Sequence, residues 1–133
     1  SKVASGGELA RIMLALKNVL AERDHVPTLI FDEVDTGVSG RAAQRVAEKL
    51  RALSRTKQVL CVTHLPQVAS CADNQWQVIK HTENGKTAST LRVLSPAERI
   101  DEIARMLGGL TITPATRQAA GEMLGMNASL PEI

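Results

Sequence analysis

The sequence predicts an α/β fold with a parallel-sheet core, flanking helices and a β-hairpin. Two short β-rich runs, residues 28–31 and 57–63, enclose a segment whose apolar residues recur at helical spacing. A strand, a helix and a second strand form a right-handed crossover in which the two strands are parallel. Between two later β-rich runs stands Asn84-Gly85, a pair typical of a hairpin turn.

The composition is that of a water-soluble domain. The 133 residues suit a single domain, with 44% hydrophobic and 23% charged residues. Aromatic residues make up only 2% of the chain, which argues against a surface that stacks nucleic-acid bases. A net charge of +2 is too small to indicate a nucleic-acid partner by itself. No apolar run is long enough to span a bilayer, so we expect a cytoplasmic protein without membrane contact.

The first helix is expected to begin at an unusual N-terminus. Ser5 and Glu8 form a capping box before an apolar run that predicts a helix to about Glu22. Between them lie Gly6 and Gly7, although glycine in a helix is less favourable than alanine by about 1 kcal/mol. Glycines there let another backbone or a phosphate approach, and the positive end of the helix dipole favours an anion. The segment is therefore either a plain cap or an anion site.

Two adjacent carboxylates, Asp32 and Glu33, follow the first predicted strand. An uninterrupted apolar run favours a strand buried on both faces, and open α/β sheets place their ligands at the carboxyl ends of such strands. Neighbouring carboxylates repel each other, so a fold that keeps both usually has a cation or a proton nearby. Nucleotide hydrolysis uses one carboxylate to hold Mg²⁺ and another to polarise water. The alternative interpretation is an acidic loop with no ligand.

His64 stands at the end of the second predicted strand. Parallel strands bring their carboxyl ends to the same edge, so His64 is expected beside Asp32 and Glu33. Its ring can donate a hydrogen bond to a phosphate oxygen, although a histidine after a strand is also a common structural hydrogen-bonding residue. The loop at residues 34–40 adds another acid, Asp35, between the two strands.

The remaining helices are predicted from apolar spacing and from their end signals. They are a helix from Gly40 to about Arg55, a short helix around Pro66, a helix capped by Ser95, and a last helix from Thr113 to a stop at Gly125, followed by a tail at 127–133.

The order of these motifs resembles the C-terminal lobe of ABC-type ATPase heads, which are P-loop NTPases. On that resemblance residues 1–126 form the lobe and residues 3–8 are the signature motif. Residues 28–33 are the Walker B motif, 34–37 the D-loop, and His64 is the switch histidine of the H-loop.

Within that class the chain is more similar to SMC-type heads than to transporters, because Glu8 stands where transporters usually carry glutamine. Longer strings are similar to the RecN family of bacterial DNA-repair proteins, namely residues 2–9, 31–37, 61–67 and 103–109. The alternatives are half of another SMC-like or ABC transporter ATPase head, or a non-catalytic, nucleotide-dependent dimerisation module.

The resemblance implies a site for ATP and Mg²⁺ that two heads share. Asp32 would help to place the metal, Glu33 would polarise the attacking water, and His64 would contact the γ-phosphate. On the signature side, nucleotide held by the opposite head of a homodimer would be bound by Ser5, Gly6, Gly7 and Glu8. Asp35 would also serve nucleotide binding, by coupling the two sites.

No G-x-x-x-x-G-K-[ST] phosphate loop occurs in the sequence. In the family that the chain resembles, this Walker A loop lies in an N-terminal lobe, and a coiled coil separates the two lobes. Because the chain opens at Ser1 without an initiating methionine, we expect it to be a piece of a longer protein. The full-length protein would be a nucleoid-associated ATPase acting on DNA double-strand breaks, and this segment alone would be inactive.

Overall fold

A computed structural model describes residues 6–20, 23 and 25–128. The contacts divide the chain into two compact units, one up to Cys71 and the other from Ala72 onwards. The first unit contains α1 (Gly6–Leu20), β1 (Thr28–Asp32), α2 (Gly40–Leu53), β2 (Gln58–Val62) and α3 (Pro66–Ala69). The second contains β3 (Trp76–Glu83), β4 (Lys86–Val93), α4 (Pro96–Gly108) and α5 (Pro114–Ala128). The assignment of residues 1–126 to one lobe stays a prediction.

The first unit is built on the predicted parallel crossover. Strands β1 and β2 pair in parallel, in a register that runs from Thr28 opposite Gln58 to Asp32 opposite Val62. Helix α2 connects them, and its buried residues recur every three or four positions, as an amphipathic helix requires. They are Ala43, Val46, Ala47, Leu50 and Leu53. The parallel pairing and the connecting helix are confirmed.

The core of this unit lies on one face of the sheet. Leu14 of α1, Phe31 of β1 and Leu50 of α2 belong to the same buried cluster, and Leu29 packs against it. On the opposite face Ile30 keeps 70% of its surface exposed, and Leu60 and Val62 of β2 are exposed as well. The prediction of a strand buried on both faces was wrong for this chain, because the helical residues of the cluster cover only one face.

The second unit begins with the predicted hairpin. Strands β3 and β4 pair antiparallel, from Trp76 opposite Val93 to Glu83 opposite Lys86. Asn84 and Gly85 both have positive φ, 51° and 73°, which is the conformation of a two-residue type I′ turn. The hairpin prediction is confirmed.

Helix α4 begins at the predicted Ser95 cap, which forms a capping box with Glu98. The Oγ of Ser95 accepts a hydrogen bond from the Glu98 amide at 3.2 Å, and Glu98 Oε2 accepts one from the Ser95 amide at 2.8 Å. The backbone and side-chain bonds from Ser95 hold the pKa of the Glu98 carboxyl below its usual range. Helices α4 and α5 then pack on each other, burying Ile103 and Ala104.

The predicted end of the last helix was wrong, since α5 continues past Gly125 to Ala128. Helix α1 is described as far as Leu20, and its predicted end near Glu22 lies outside the described residues. An interior glycine weakens a helix by about 1 kcal/mol but does not stop it when the neighbouring residues continue the hydrogen-bond pattern. The first two residues of the predicted tail are therefore helical, whereas the rest of the tail and Ser5 lie outside the described residues. None of the described helices has the length and apolar character needed to cross a bilayer.

Candidate functional site

The ends of β1 and β2 form the edge at which the sequence places its polar residues. Asp32 is the last residue of β1 and lies opposite Val62, so Glu33 leaves β1 on the same edge where Thr63 and His64 leave β2. The side chains of Asp32 and Glu33 are exposed, and that of His64 keeps 74% of its surface exposed. A polar surface open to solvent therefore lies at the carboxyl end of the sheet.

The side chain of Asp35 also lies at this edge, but it is buried. Its side chain is 2% exposed, and Oδ2 accepts hydrogen bonds from the hydroxyl of Thr63 and, at 3.3 Å, from the backbone amide of His64. The Nδ1 of His64 lies 3.8 Å from the same oxygen, too far for a hydrogen bond but close enough for electrostatic attraction if the ring is protonated. The carboxylate of Asp35 is thus engaged within its own chain.

The backbone at Glu33 adopts the left-handed region, with φ of 61°. Few residues other than glycine occupy this region, and those that do are held there by their surroundings and are frequent at functional sites. A hydrogen bond from the Thr36 amide to the Glu33 carbonyl, 3.1 Å long, closes the turn. A Cβ built on Gly6 would lie 2.6 Å from Oε2 of Glu33, so this carboxylate rests against the first residue of α1.

Gly7 is the residue at which α1 contacts the acidic loop after β1, residues 33–36. A Cβ at this position would lie 2.9 Å from the Glu33 carbonyl oxygen and 3.1 Å from that of Thr36. Glycine is therefore needed here because another backbone comes close, as the sequence analysis expected of either a backbone or a phosphate. Gly6 and Glu8, by contrast, are exposed beside it.

Sequence reasoning missed two residues of this site. Arg11 donates from Nη1 to the Thr36 carbonyl at 2.7 Å and to the Val34 carbonyl at 3.4 Å, fastening α1 to the loop. It lies four residues after Gly7, so the helical repeat places both on the same face and could have identified it. Thr63 gave no signal of its own, because a threonine in a β-rich run is ordinary.

The two cysteines do not add reactive groups to the site. Burial, with smaller effects from the carboxylates of Asp35 and Asp32, raises the pKa of the Cys61 thiol to about 12. Burial also raises the pKa of Cys71. Both thiols are protonated at neutral pH, whereas the thiolate is the form that attacks and binds metals.

The sequence of this chain is similar to those of bacterial DNA repair proteins. No protein-family model matches the chain. Over 124 residues, 93% of its length, the chain is 50% identical to the DNA repair protein RecN of Bacillus subtilis (strain 168). It is 51% identical over 124 residues to the DNA repair protein RecN of Vibrio cholerae. The chain is thus similar along nearly its whole length to a segment of RecN proteins. It spans only 22% of the length of each of these two RecN proteins.

A solved structure supports the fold independently. It comes from work on the ATP-driven dimerization and DNA-stimulated activation of SMC ATPases. The match covers 81% of this chain and 65% of the solved chain, with a TM-score of 0.57. At 21% sequence identity this likeness shows the fold alone. The chain therefore shares its α/β fold with that structure.

Proposed function

We propose that this chain is the C-terminal part of the ATP-hydrolysing head of a RecN-type, SMC-like protein that acts in DNA double-strand break repair and recombination. The observation that carries the proposal is the shared edge on which Asp32, Glu33 and His64 are exposed together. The sequence similarity supports it, because the RecN relatives are DNA repair proteins.

In the proposed site each of these side chains has a separate task. Asp32 holds Mg²⁺, which neutralises charge on the transferred phosphate when it is bound. Among the described residues no group of three or more His, Cys, Asp or Glu side chains could hold a metal. One exposed carboxylate nevertheless fits Mg²⁺, which is usually bound by one or two carboxylates together with water and substrate phosphates. Glu33 accepts a proton from the attacking water, and His64 donates a hydrogen bond to the γ-phosphate.

The start of α1 serves a second molecule in this proposal. Gly6 and Glu8 are exposed at the positive end of the helix dipole, where an anion is favoured. Ser5, Gly6 and Gly7 would bind the γ-phosphate of ATP held by the opposite head of a homodimer, and Glu8 would belong to the same nucleotide site. The N-terminal lobe of the same protein, with its phosphate loop and coiled coil, would complete each head. Contact with DNA would belong to the full-length, nucleoid-associated protein in the cytoplasm.

The test is Glu33→Gln in the full-length protein. Removing the base is expected to slow ATP hydrolysis by about 10²–10⁴-fold, the usual contribution of a general base, while ATP binding persists. Glu83→Gln, the same change at the exposed end of β3, is the matched control and is expected to leave turnover unchanged.

Turnover in steady-state hydrolysis and ATP affinity in equilibrium binding are measured separately. Unchanged turnover in Glu33→Gln would remove Glu33 from the proposed role. A wild-type protein that dimerises with ATP but does not hydrolyse it would instead be the non-catalytic dimerisation module.

A further inference from the structure

The buried carboxylate of Asp35 has no direct route to a ligand. Its side chain is 2% exposed, and a buried carboxylate is costly unless hydrogen bonds or charges compensate it. Both hydrogen bonds to Oδ2 come from the residues that follow β2, namely Thr63 and His64. The oxygen thus ties the loop after β1 to the segment that leaves β2.

Thr63 extends this connection along the chain. Its hydroxyl donates to Asp35 and accepts a hydrogen bond from the Leu65 amide at 3.0 Å. Three consecutive residues, 63–65, are therefore bonded directly or through one hydroxyl to a single carboxylate oxygen. The backbone that carries His64 is fixed on both sides of the residue, whereas its imidazole remains 74% exposed.

We propose that Asp35 is a positioning residue for His64. It holds the backbone of residues 63–65 and places the Nδ1 side of the ring near its own carboxylate. The other ring nitrogen, Nε2, is then presented on the far side, toward solvent. The proposal rests on the proposed function in one respect, the role of His64 toward phosphate. It differs from a role for Asp35 in contacting a second head, since the buried carboxylate acts inside its own chain.

The hydrogen bonds can be removed from either partner in the full-length protein. Asp35→Ala removes the acceptor, and Thr63→Val removes the hydroxyl with almost no change in shape. Each is expected to lower kcat for ATP hydrolysis by about 10- to 100-fold, the scale of effect when a reacting group is misplaced by about 1 Å. ATP affinity is expected to stay near that of the wild type. Thr63→Ser keeps the hydroxyl and is expected to retain a kcat near that of the wild type.

A double-mutant cycle separates positioning from an independent role. If Asp35 acts through His64, adding Asp35→Ala to His64→Gln produces no further loss of kcat. Full additivity of the two losses would overturn the proposal. So would a Thr63→Ser variant as impaired as Thr63→Val.

A second measurement does not depend on hydrolysis. The imidazole NMR signals of His64, identified by their loss in His64→Gln, are expected to shift in Asp35→Ala and Thr63→Val. Asp101→Asn, which removes an exposed carboxylate on α4, is the control and is expected to leave them in place. Unmoved signals in a folded Asp35→Ala protein would overturn the positioning role, even if Glu33→Gln behaves as proposed. Shifted signals in a protein without ATPase activity would support the positioning role and refute the proposed function.

Discussion

Gly7 shows how one residue joins two segments that the sequence keeps apart. The main chain of α1 approaches the carbonyls of Glu33 and Thr36 so closely that no side chain fits between them. Arg11 then donates two hydrogen bonds to the same loop from the next turn of the helix. These contacts fix the start of α1 to the acidic loop, so a displacement of one would also move the other.

We predict that Gly7→Ala destabilises the protein. Alanine improves helix propensity by about 1 kcal/mol, but a Cβ at this site meets two backbone oxygens that cannot turn aside. Overpacking of this kind typically costs about 1–3 kcal/mol, so we expect a net loss measured as a lower midpoint of thermal unfolding. Gly121→Ala is the matched control, since nothing lies within 4 Å of a Cβ there, and it should be neutral or stabilising. Equal behaviour of the two variants would contradict the close approach at Gly7.

At the scale of the element, the sequence predicted a helix end or a turn correctly where nearby residues supply the hydrogen bonds that form it. The Ser95 cap of α4 and the Asn84-Gly85 turn were both predicted from the sequence, because their hydrogen bonds and dihedral angles involve neighbouring residues only. The end of α5 was predicted wrongly, because an interior glycine weakens a helix without necessarily stopping it.

The cap of α4 gives a prediction at this scale. Ser95→Ala removes the side-chain acceptor for the Glu98 amide, and we expect a loss of about 1 kcal/mol in stability. Ser39→Ala is the matched control, because Ser39 occupies the N-cap of α2 but its side chain makes no cap hydrogen bond. Denaturant unfolding of both variants checks the difference. A loss at Ser39 as large as that at Ser95 would show that the hydrogen bond is not the source of the effect.

At the scale of the whole molecule, the chain leaves a large apolar surface uncovered. One face of the sheet is exposed at Ile30 and Val62, and the outward side of α1 is apolar as well. Its exposed residues are Leu9, Ile12, Met13, Leu16, Val19 and Leu20. Monomeric soluble proteins rarely expose large apolar patches without a partner for them. The chain that carries these exposed apolar residues spans 22% of the length of its Bacillus subtilis relative.

The shared site proposed for two heads is tested by Ser5→Arg in the full-length protein. The bulky side chain is expected to block ATP-driven dimerisation, while each head still binds ATP through its own site. Sedimentation with a slowly hydrolysed ATP analogue measures the dimer, and circular dichroism shows whether the helices persist. Ser89→Arg, on the exposed strand β4, is the control. Normal dimerisation of Ser5→Arg would show that the glycine turn is only a cap.

The sequence by itself determined the parallel crossover, the hairpin, the Ser95 cap, and the edge of the sheet at which Asp32, Glu33 and His64 lie. Each of these follows from local hydrogen bonding or from the geometry of a parallel pair, which short stretches of sequence encode. Only the tertiary structure decided that Asp35 is buried against Thr63, that Gly7 meets the acidic loop, and that one face of β1 is left open. Those facts depend on which segments pack together across 25 or more residues, and neither residue type nor periodicity specifies that.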